Sequence, residues 1–504
     1  MQALLQPSLD TVKAIAGSGE YRRIPVWREL FADHFTPVEV MRILKNVSRH
    51  CYLLESAEDN QKWGRFSFLG YSPSLELTSI GGKVTIRRGE DVRKDGENKA
   101  VTEETFEGTP QEAIRNVLRD YKSPEFQELP PFAGGLVGYF SYQYLACCEP
   151  SLQLKAEEKD GFRDVDLMLF DQVIAFDHYR QKVLLICGVN AARPEDSYRE
   201  AEEKLDGMAR LLMEGKPGEI QPLKLKGELR PRFSKEAYME MTEKAKYYIR
   251  EGDIFQVVLS NPIEAQAEGS LFDTYRVLRT TNPSPYLFYF SSDDLEMVGA
   301  SPETLVKLEG RTLYTFPLAG TRPRGKTQED DRRLEEELLA DEKELAEHNM
   351  LVDLGRNDIG KISRVGSVKV EAYLSVQRFS HVMHLGSTVT GTIREDRDAV
   401  DAVDAILPAG TLSGAPKLRA CQIIEELESI PRGVYGGAIG YLDFSGNLDT
   451  CIAIRLAFQK NGRVTVRSGA GIVADSVPGK EYEECMNKAK AVVNAIRTAE
   501  GGLE

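Results

Sequence analysis

Cysteine is sparse and follows no pattern. Seven are scattered through 504 residues, at Cys51, Cys147, Cys148, Cys187, Cys421, Cys451 and Cys485. The odd count and the lack of any C-x-x-C spacing or Cys/His cluster speak against a disulfide framework or a zinc site and fit a reducing cytoplasm. No basic start followed by an apolar run opens the chain, so no signal peptide is expected. Long apolar runs are missing as well. The longest, such as Val183 to Val189, have the length of a strand, far from the ~20 residues that cross a bilayer. Positive charge is in deficit: 64 Lys and Arg face 79 Asp and Glu, a net charge of −15. With no Lys/Arg-rich block, the sequence has no electrostatic footprint for nucleic acid or for an anionic membrane. A small anionic substrate stays open if a local pocket inverts the sign. There is no Walker loop, no Ser-centred nucleophile elbow and no G-x-G-x-x-G followed by an acid, which removes the commonest nucleotide-binding and serine-hydrolase signatures.

What is present is an ordinary globular composition, 41% hydrophobic and 28% charged, in a chain long enough for a large core. The stretch Met213 to Phe233 is rich in Gly, Pro, Lys and Glu and has no periodicity. It divides the chain into an N-terminal α+β region (1–215), a linker (216–233) and a C-terminal region (234–504). Thr109-Pro110 with Glu112 has the spacing of a helix start. Further helices are expected after Ser234 as far as Gly252, from Ser270, over Thr327 to Leu354 as one long charged helix, and from Gly479 to Thr498. A strand covers Ile254 to Leu259, and a meander runs from Gly436 to Ser468 with turns at Gly446-Asn447 and Asn461-Gly462. Strands and helices interleave without regular βαβ alternation, which predicts an α+β fold of antiparallel sheets covered by helices.

Several residues could carry chemistry. Glu344 and Glu347 are three apart on one predicted helix, Glu481 and Glu484 three apart on another. Each pair shares a helix face, and two such faces would make an oxygen-only site suited to Mg²⁺; on spacing alone a solvated charged face is the readier explanation. In the segment Cys451 to Phe458, Arg455 alternates onto a face with Cys451, Ala453 and Ala457. An arginine among small side chains can grip a ligand carboxylate with two hydrogen bonds or pair internally with a protein carboxylate. Gly469-Ala470-Gly471 could bring backbone N–H groups close to an anion or form a plain turn. Gly320-Thr321 and Gly410-Thr411 each pair a permissive backbone with a hydroxyl. His381 and His384 share one apolar-flanked segment, on opposite faces if it is a strand, and core histidines are an alternative.

Ten segments occur in order: GDIFQVVLS, TNPSPY, ASPETL, FPLAGTRPRG, ADEKELAEHNMLVDLGRNDIG, SHVMHL, GTLSGAPK, GGAIGYLDFSGNLDTCIAIR, SGAGIVADSVPGKEYEE and NKAKA. They resemble the chorismate-utilising enzymes, most closely the anthranilate synthases, over about 234–500. LLES at Leu53 to Ser56 and GRFSFLG at Gly64 to Gly70 extend the likeness to the N-terminal region. The resemblance implies two antiparallel sheets packed face to face with helices outside, the N-terminal part contributing to the same body. It implies that chorismate and ammonia become anthranilate and pyruvate, the first committed step of tryptophan biosynthesis. By the same resemblance, Glu344, Glu347, Glu481 and Glu484 surround Mg²⁺. Tyr435, Arg455, the backbone at Gly469 and Gly471, and Lys488 hold the carboxylates of chorismate, with Gly320, Thr321 and Thr411 lining the pocket. Glu303 is the general acid for the departing C4 hydroxyl, and His384 is the catalytic histidine.

Two positions discriminate within the family. Gln256 stands where water-adding members resemble one another in carrying a lysine base, which favours an ammonia user. Ala319 stands where many aminodeoxychorismate synthases carry lysine, which favours anthranilate. The rival readings are an aminodeoxychorismate synthase subunit and a non-catalytic binder of tryptophan or chorismate. No cysteine sits in a G-x-C-x-G turn, so a separate glutaminase subunit is the expected ammonia source, in a heterotetramer of two copies each. The resemblance also implies a tryptophan inhibitor site at Leu54, Glu55, Ser56, Pro285, Tyr286, Leu287, Ile439 and Tyr441, with Glu55 meeting the ammonium.

Overall fold

The computed structural model describes residues 5–57, 64–89, 102–149, 151–152, 154, 161–378 and 382–503. His381 lies outside them. Among the described residues the strands form two sheets, one of thirteen and one of twelve, and every strand pairing is antiparallel. The larger sheet runs Arg23–Phe31, Lys182–Asn190, Gln172–Asp177, Phe66–Tyr71, Cys51–Glu55, Tyr286–Ser291, Leu295–Ser301, Leu456–Lys460, Arg463–Ile472, Gln256–Glu268. At the centre of the smaller sheet lie Thr304–Glu309, Leu448–Ile452, Ala438–Asp443, Gly135–Phe140 and Val165–Phe170 in that order. Each sheet therefore draws strands from before residue 216 and after residue 233. Within 216–233, Lys224–Leu225 and Arg230–Pro231 pair with Gln256–Glu268.

The layers follow from where apolar side chains can hide. Tyr52, Phe68 and Phe288 of the larger sheet pack with Val137, Met168 and Tyr441 of the smaller one, so one core lies between the two inner faces. The outer face of the larger sheet is covered by helices Pro37–Val47, Pro194–Glu214, Phe272–Thr281 and Pro478–Ala499. Helices Pro110–Asp120, Glu342–Gly360 and Ala399–Ile406 cover that of the smaller sheet. This is the expected α+β arrangement.

Local expectations hold where chemistry is local. Thr109 caps Pro110–Asp120 through the Glu112 N–H, and Ser234 caps Lys235–Arg250. Asn461 and Gly462 both have positive φ, +51° and +69°, as a tight two-residue hairpin turn requires. Three expectations are corrected. The long charged helix is two, Gln328–Ala340 and Glu342–Gly360, because the Asp341 side chain accepts from the Lys343 and Glu344 N–H groups and starts a new helix. The supposed meander is split, since Leu448–Ile452 belongs to the smaller sheet and Leu456–Lys460 to the larger. The alternation through Arg455 therefore breaks, and Arg455 sits at the crossing with φ +50°. Gly469-Ala470-Gly471 is strand, paired with Val258 to Ser260, and not a turn.

Close strand approach sets a demand on two glycines. Gly138 and Gly440 face each other across paired strands. A Cβ on either would stand 2.0 Å from a backbone oxygen, Asp166 O and Asp449 O respectively. Gly138→Ala is expected to lower unfolding free energy by ~1–3 kcal/mol, since neither strand can retreat without disturbing its neighbours. Denaturant titration of both proteins checks this, and an unchanged midpoint would contradict it.

Candidate active site

Two crossings between the sheets lie side by side and build the centre of the site. The chain leaves the larger sheet at Ser301 and enters the smaller at Thr304, passing through Glu303. It returns between Ile452 and Leu456, passing through Arg455. The crossings hold each other: Ile452 N–H donates to Glu303 O at 2.9 Å and Ala300 N–H to Arg455 O at 3.1 Å. The Ser301 hydroxyl donates to Ile452 O at 2.7 Å.

Glu303 is half-buried and lines a cavity of ≈ 40 Å³ together with Gly410, Thr411 and Ile452. Burial pushes its carboxyl up to about 7, and the Thr411 hydroxyl, Arg455 and Lys488 oppose the rise. Thr411 Oγ1 donates to Glu303 Oε1 at 3.1 Å. A carboxyl of this kind keeps its proton near neutrality and can give it up.

His384 follows on the strand Val382–Thr392, in register with Thr321. Its Nδ1 lies 2.9 Å from Gly320 O and 3.1 Å from Thr321 Oγ1. A carbonyl oxygen only accepts, so the ring proton is on Nδ1 and Nε2 keeps its lone pair. Burial lowers the pKa of His384, the Gly320 bond opposes this, and Arg455 adds to the fall, which favours the neutral ring. Gly320 has φ +66°, and a Cβ there would come within 3.3 Å of Glu344 Oε2. Glu344 thus abuts the strand Leu318–Pro323, which pairs with the strand of His384.

The two acidic pairs lie within electrostatic reach of each other. The Glu347 carboxyl is raised by withdrawal from water, then by Glu344 on its own helix and also by Glu484 on the other; Lys343 and Lys488 pull it down. Glu481 is raised by burial and by Glu484, against the Ser476 hydroxyl, Lys488 and Lys343. Among the described residues, no three Asp, Glu, His or Cys side chains are gathered as a metal ion would hold them. Lys488 Nζ instead pairs with Glu484 Oε1 at 2.8 Å, and Arg322 lies 3.6 Å from Glu344. The chemistry of the donor set, four carboxylates that raise one another, is of the hard-oxygen kind that Mg²⁺ takes.

The remaining expected substrate residues line the strands Gln256–Glu268 and Arg463–Ile472. Tyr435 is buried, its hydroxyl 3.0 Å from where a Gly469 Cβ would stand, and Gln256 Nε2 is 2.7 Å from the same point on Gly471. Neither position tolerates a side chain without displacing these groups. Val258 N–H donates to Ser413 O, tying the Thr411 turn to the same strand.

All eight residues expected at the inhibitor site line one pocket of ≈ 90 Å³ between the sheets. Glu55 differs from its expected role. Its carboxylate accepts from Arg279 Nε and Nη2, Ser67 Oγ and the Tyr275 hydroxyl, which fill its acceptor sites. The other acid on the pocket wall is Asp449, which accepts from the Tyr286 hydroxyl at 2.8 Å. Sequence reading passed over Asp449, though it stands in the GNLDT segment. The Tyr286 hydroxyl also bonds Thr304 Oγ1 at 2.8 Å, one residue from Glu303.

Comparison with known proteins agrees with this geometry. The profile of the chorismate binding enzyme family matches residues 49–494. Anthranilate synthase component 1 of Acetivibrio thermocellus is 44% identical over 98% of this chain and 99% of its own. That of Aquifex aeolicus is 42% identical over 99% of each. The crystal structure of anthranilate synthase component I from Streptococcus pneumoniae TIGR4 superposes with a TM-score of 0.74 at 39% identity, covering 85% of this chain and 92% of that one. The chain belongs to the chorismate binding enzyme family, in the branch of anthranilate synthase component 1.

Because burial disfavours ionised Glu303, the folded chain holds that proton more tightly than the unfolded chain. Stability falls as pH rises from the ordinary 4.5 to about 7, is fully reduced above that, and is untouched below 4.5. Glu303→Gln is therefore expected to raise unfolding free energy by ~2–3 kcal/mol at pH 8 and leave it unmoved at pH 4. Urea titrations at both pH values check this; equal effects at the two would show that the carboxyl is not held neutral.

Proposed function

We propose that the chain is the synthase subunit that converts chorismate and ammonia to anthranilate, pyruvate and water. The observation that carries this reading is the raised carboxyl of Glu303 beside the Arg455 cation. It is a proton donor at neutral pH, next to a group that can fix an anionic substrate. Chorismate is a dianion, and Arg455 and Lys488 supply cations while Tyr435 and the Gly469 and Gly471 N–H groups supply donors. Thr321 and Thr411 add hydroxyls at the ring. Ammonia attacks C2, the double bond shifts, and Glu303 gives its proton to the departing C4 oxygen, so that water leaves. The C2 proton is then removed and the enolpyruvyl group leaves as pyruvate, forming the aromatic ring. His384, with its lone pair on Nε2, acts as base or orients the leaving group in this second step. Gln256 is a neutral amide and does not activate water, which favours ammonia over hydration. Mg²⁺ held by Glu344, Glu347, Glu481 and Glu484 would bind the ring carboxylate and polarise the ring as a Lewis acid.

Ammonia is mostly protonated at neutral pH, and the reading includes a glutaminase subunit that supplies it, in a heterotetramer of two copies each. This reading sets the reaction in the cytoplasm. The isolated chain is expected to form anthranilate, read by fluorescence, from chorismate, Mg²⁺ and ammonium at alkaline pH. It should be inert with glutamine alone and lose turnover on chelation. Failure to form anthranilate with ammonium, or activity with glutamine alone, contradicts the assignment.

Tryptophan is the proposed inhibitor, held in the pocket between Ser56, Pro285 and Tyr441. The indole meets the apolar wall and Asp449 meets the ammonium, while Glu55 secures Arg279 behind it. Tyr286, bonded to Thr304 beside Glu303, gives the two sites a shared element. Antagonism of ~1–3 kcal/mol is typical of such coupling and is reciprocal. Tryptophan is expected to raise the chorismate requirement, and Ser56→Phe, which fills the pocket, to abolish inhibition while leaving catalysis intact. Calorimetry showing no tryptophan binding, or full inhibition of the Ser56→Phe variant, would remove this site.

A further inference from the structure

A buried ionic network lies directly behind Tyr435, and none of its members is among the residues so far given a part in the reaction. Arg432 and Arg467 converge on one carboxylate, Glu428. Arg432 reaches it at 3.0 and 2.6 Å, and Arg467 at 2.6 Å. The side chains are 1% exposed for Glu428 and Arg432 and 4% for Arg467. Burial would raise the Glu428 carboxyl, but the two guanidinium groups overcome it and keep the carboxylate ionised. Two cations and one anion leave a surplus positive charge. Both guanidinium groups stand near the Tyr435 ring, at 5.8 and 6.0 Å from its centre.

The same network touches every segment that carries a substrate residue on this side of the site. Arg432 donates to Val258 O at 2.7 Å and to Leu412 O at 2.6 Å. Val258 lies two residues from Gln256, and Leu412 follows Thr411. Arg467 donates to Ser260 Oγ at 2.8 Å and to Pro431 O at 2.7 Å. Ser260 is the register partner of Gly469 and also donates to Glu428. A stable core needs no such arrangement, because a buried ion network is often replaceable by apolar side chains without loss of stability. What apolar side chains cannot supply is a fixed positive potential behind a site for a dianion.

We infer that Glu428, Arg432 and Arg467 form a positioning site for the substrate carboxylate: they fix Tyr435, Gly469, Gln256 and Thr411 relative to one another, and their surplus positive charge favours the dianion. The inference rests on the proposed chorismate reaction. It distinguishes charge from mere scaffolding, because the two co-substrates differ in charge. Ammonia is neutral and does not respond to the surplus charge, whereas chorismate does.

Steady-state kinetics with ammonium as nitrogen source test it. Arg467→Met is expected to raise the chorismate KM about tenfold or more, with kcat within about threefold and the KM for free ammonia unmoved. Arg467→Lys, which keeps the charge, should return the chorismate KM to within about threefold of the unsubstituted chain. Should Arg467→Met fail to fold, Arg467→Gln keeps a hydrogen bond to Ser260 without the charge and carries the same expectation. An unmoved chorismate KM in the neutral variant overturns the inference. So does a loss of kcat of equal size in the Lys and neutral variants, the mark of a scaffold alone. No chorismate turnover by the unsubstituted chain would remove the functional reading itself, and the inference with it.

Discussion

The site depends on a backbone constraint. When a chain passes from one sheet to another, its N–H and C=O groups lose the ladder that would pair them, yet in a buried interior they must still be paired. Here two crossings run together and answer each other. Glu303 O takes the Ile452 N–H, and Arg455 O takes the Ala300 N–H. The side chains at those points belong to neither sheet, and they project where the two layers part. One is a carboxyl group and the other a guanidinium cation, each partly withdrawn from bulk water. Burial then sets their properties: Glu303 rises to about 7 because an ionised carboxylate is poorly solvated there, with Arg455 only partly compensating.

Around that seam an acidic protein creates a locally cationic place. The net charge is −15, but Arg432 and Arg467 are buried beside Tyr435 with a single carboxylate between them. Lys488 and Arg455 both bear on Glu303, and Lys488 also pairs with Glu484. Cations and carboxylates partly neutralise each other here, as in the Lys488–Glu484 pair. The chemistry proposed for the site follows from this arrangement of charge.

The pocket assigned to tryptophan lies between the same two sheets. Its Tyr286 is bonded to Thr304, the residue that follows Glu303, and Cys451 on its wall precedes Ile452, which is bonded to Glu303 O. Any repacking of the inner faces around an occupant reaches the crossing directly, through two covalent neighbours. The two proposed sites therefore share strand neighbours, Thr304 and Cys451, on either side of the crossing.

Local chemistry was legible from the residues alone. Thr109 and Ser234 cap helices because a hydroxyl at that position satisfies an otherwise unpaired N–H, and Asn461-Gly462 turns a hairpin because both tolerate positive φ. The spacing of the acidic pairs made each a shared helix face, and the ordered segments identified the family and hence the antiparallel double sheet. The Asp341 cap is equally local, its side chain turning onto the Lys343 and Glu344 N–H groups, but it is masked by a stretch from Thr327 to Leu354 of helical composition throughout. Other features depended on partners remote in sequence. Arg455 alternates in sequence as if on a strand, but the strand ends at Ile452 because the chain changes sheets. Glu55 looked like a ligand for an ammonium until Arg279, 224 residues on, was seen to occupy it. The sequence determines which groups are present and which turns and caps they favour. Which carboxylate is neutral, which is paired and which is open to a ligand was decided only by the tertiary fold, because desolvation and charge pairing depend on neighbours that sequence distance does not reveal.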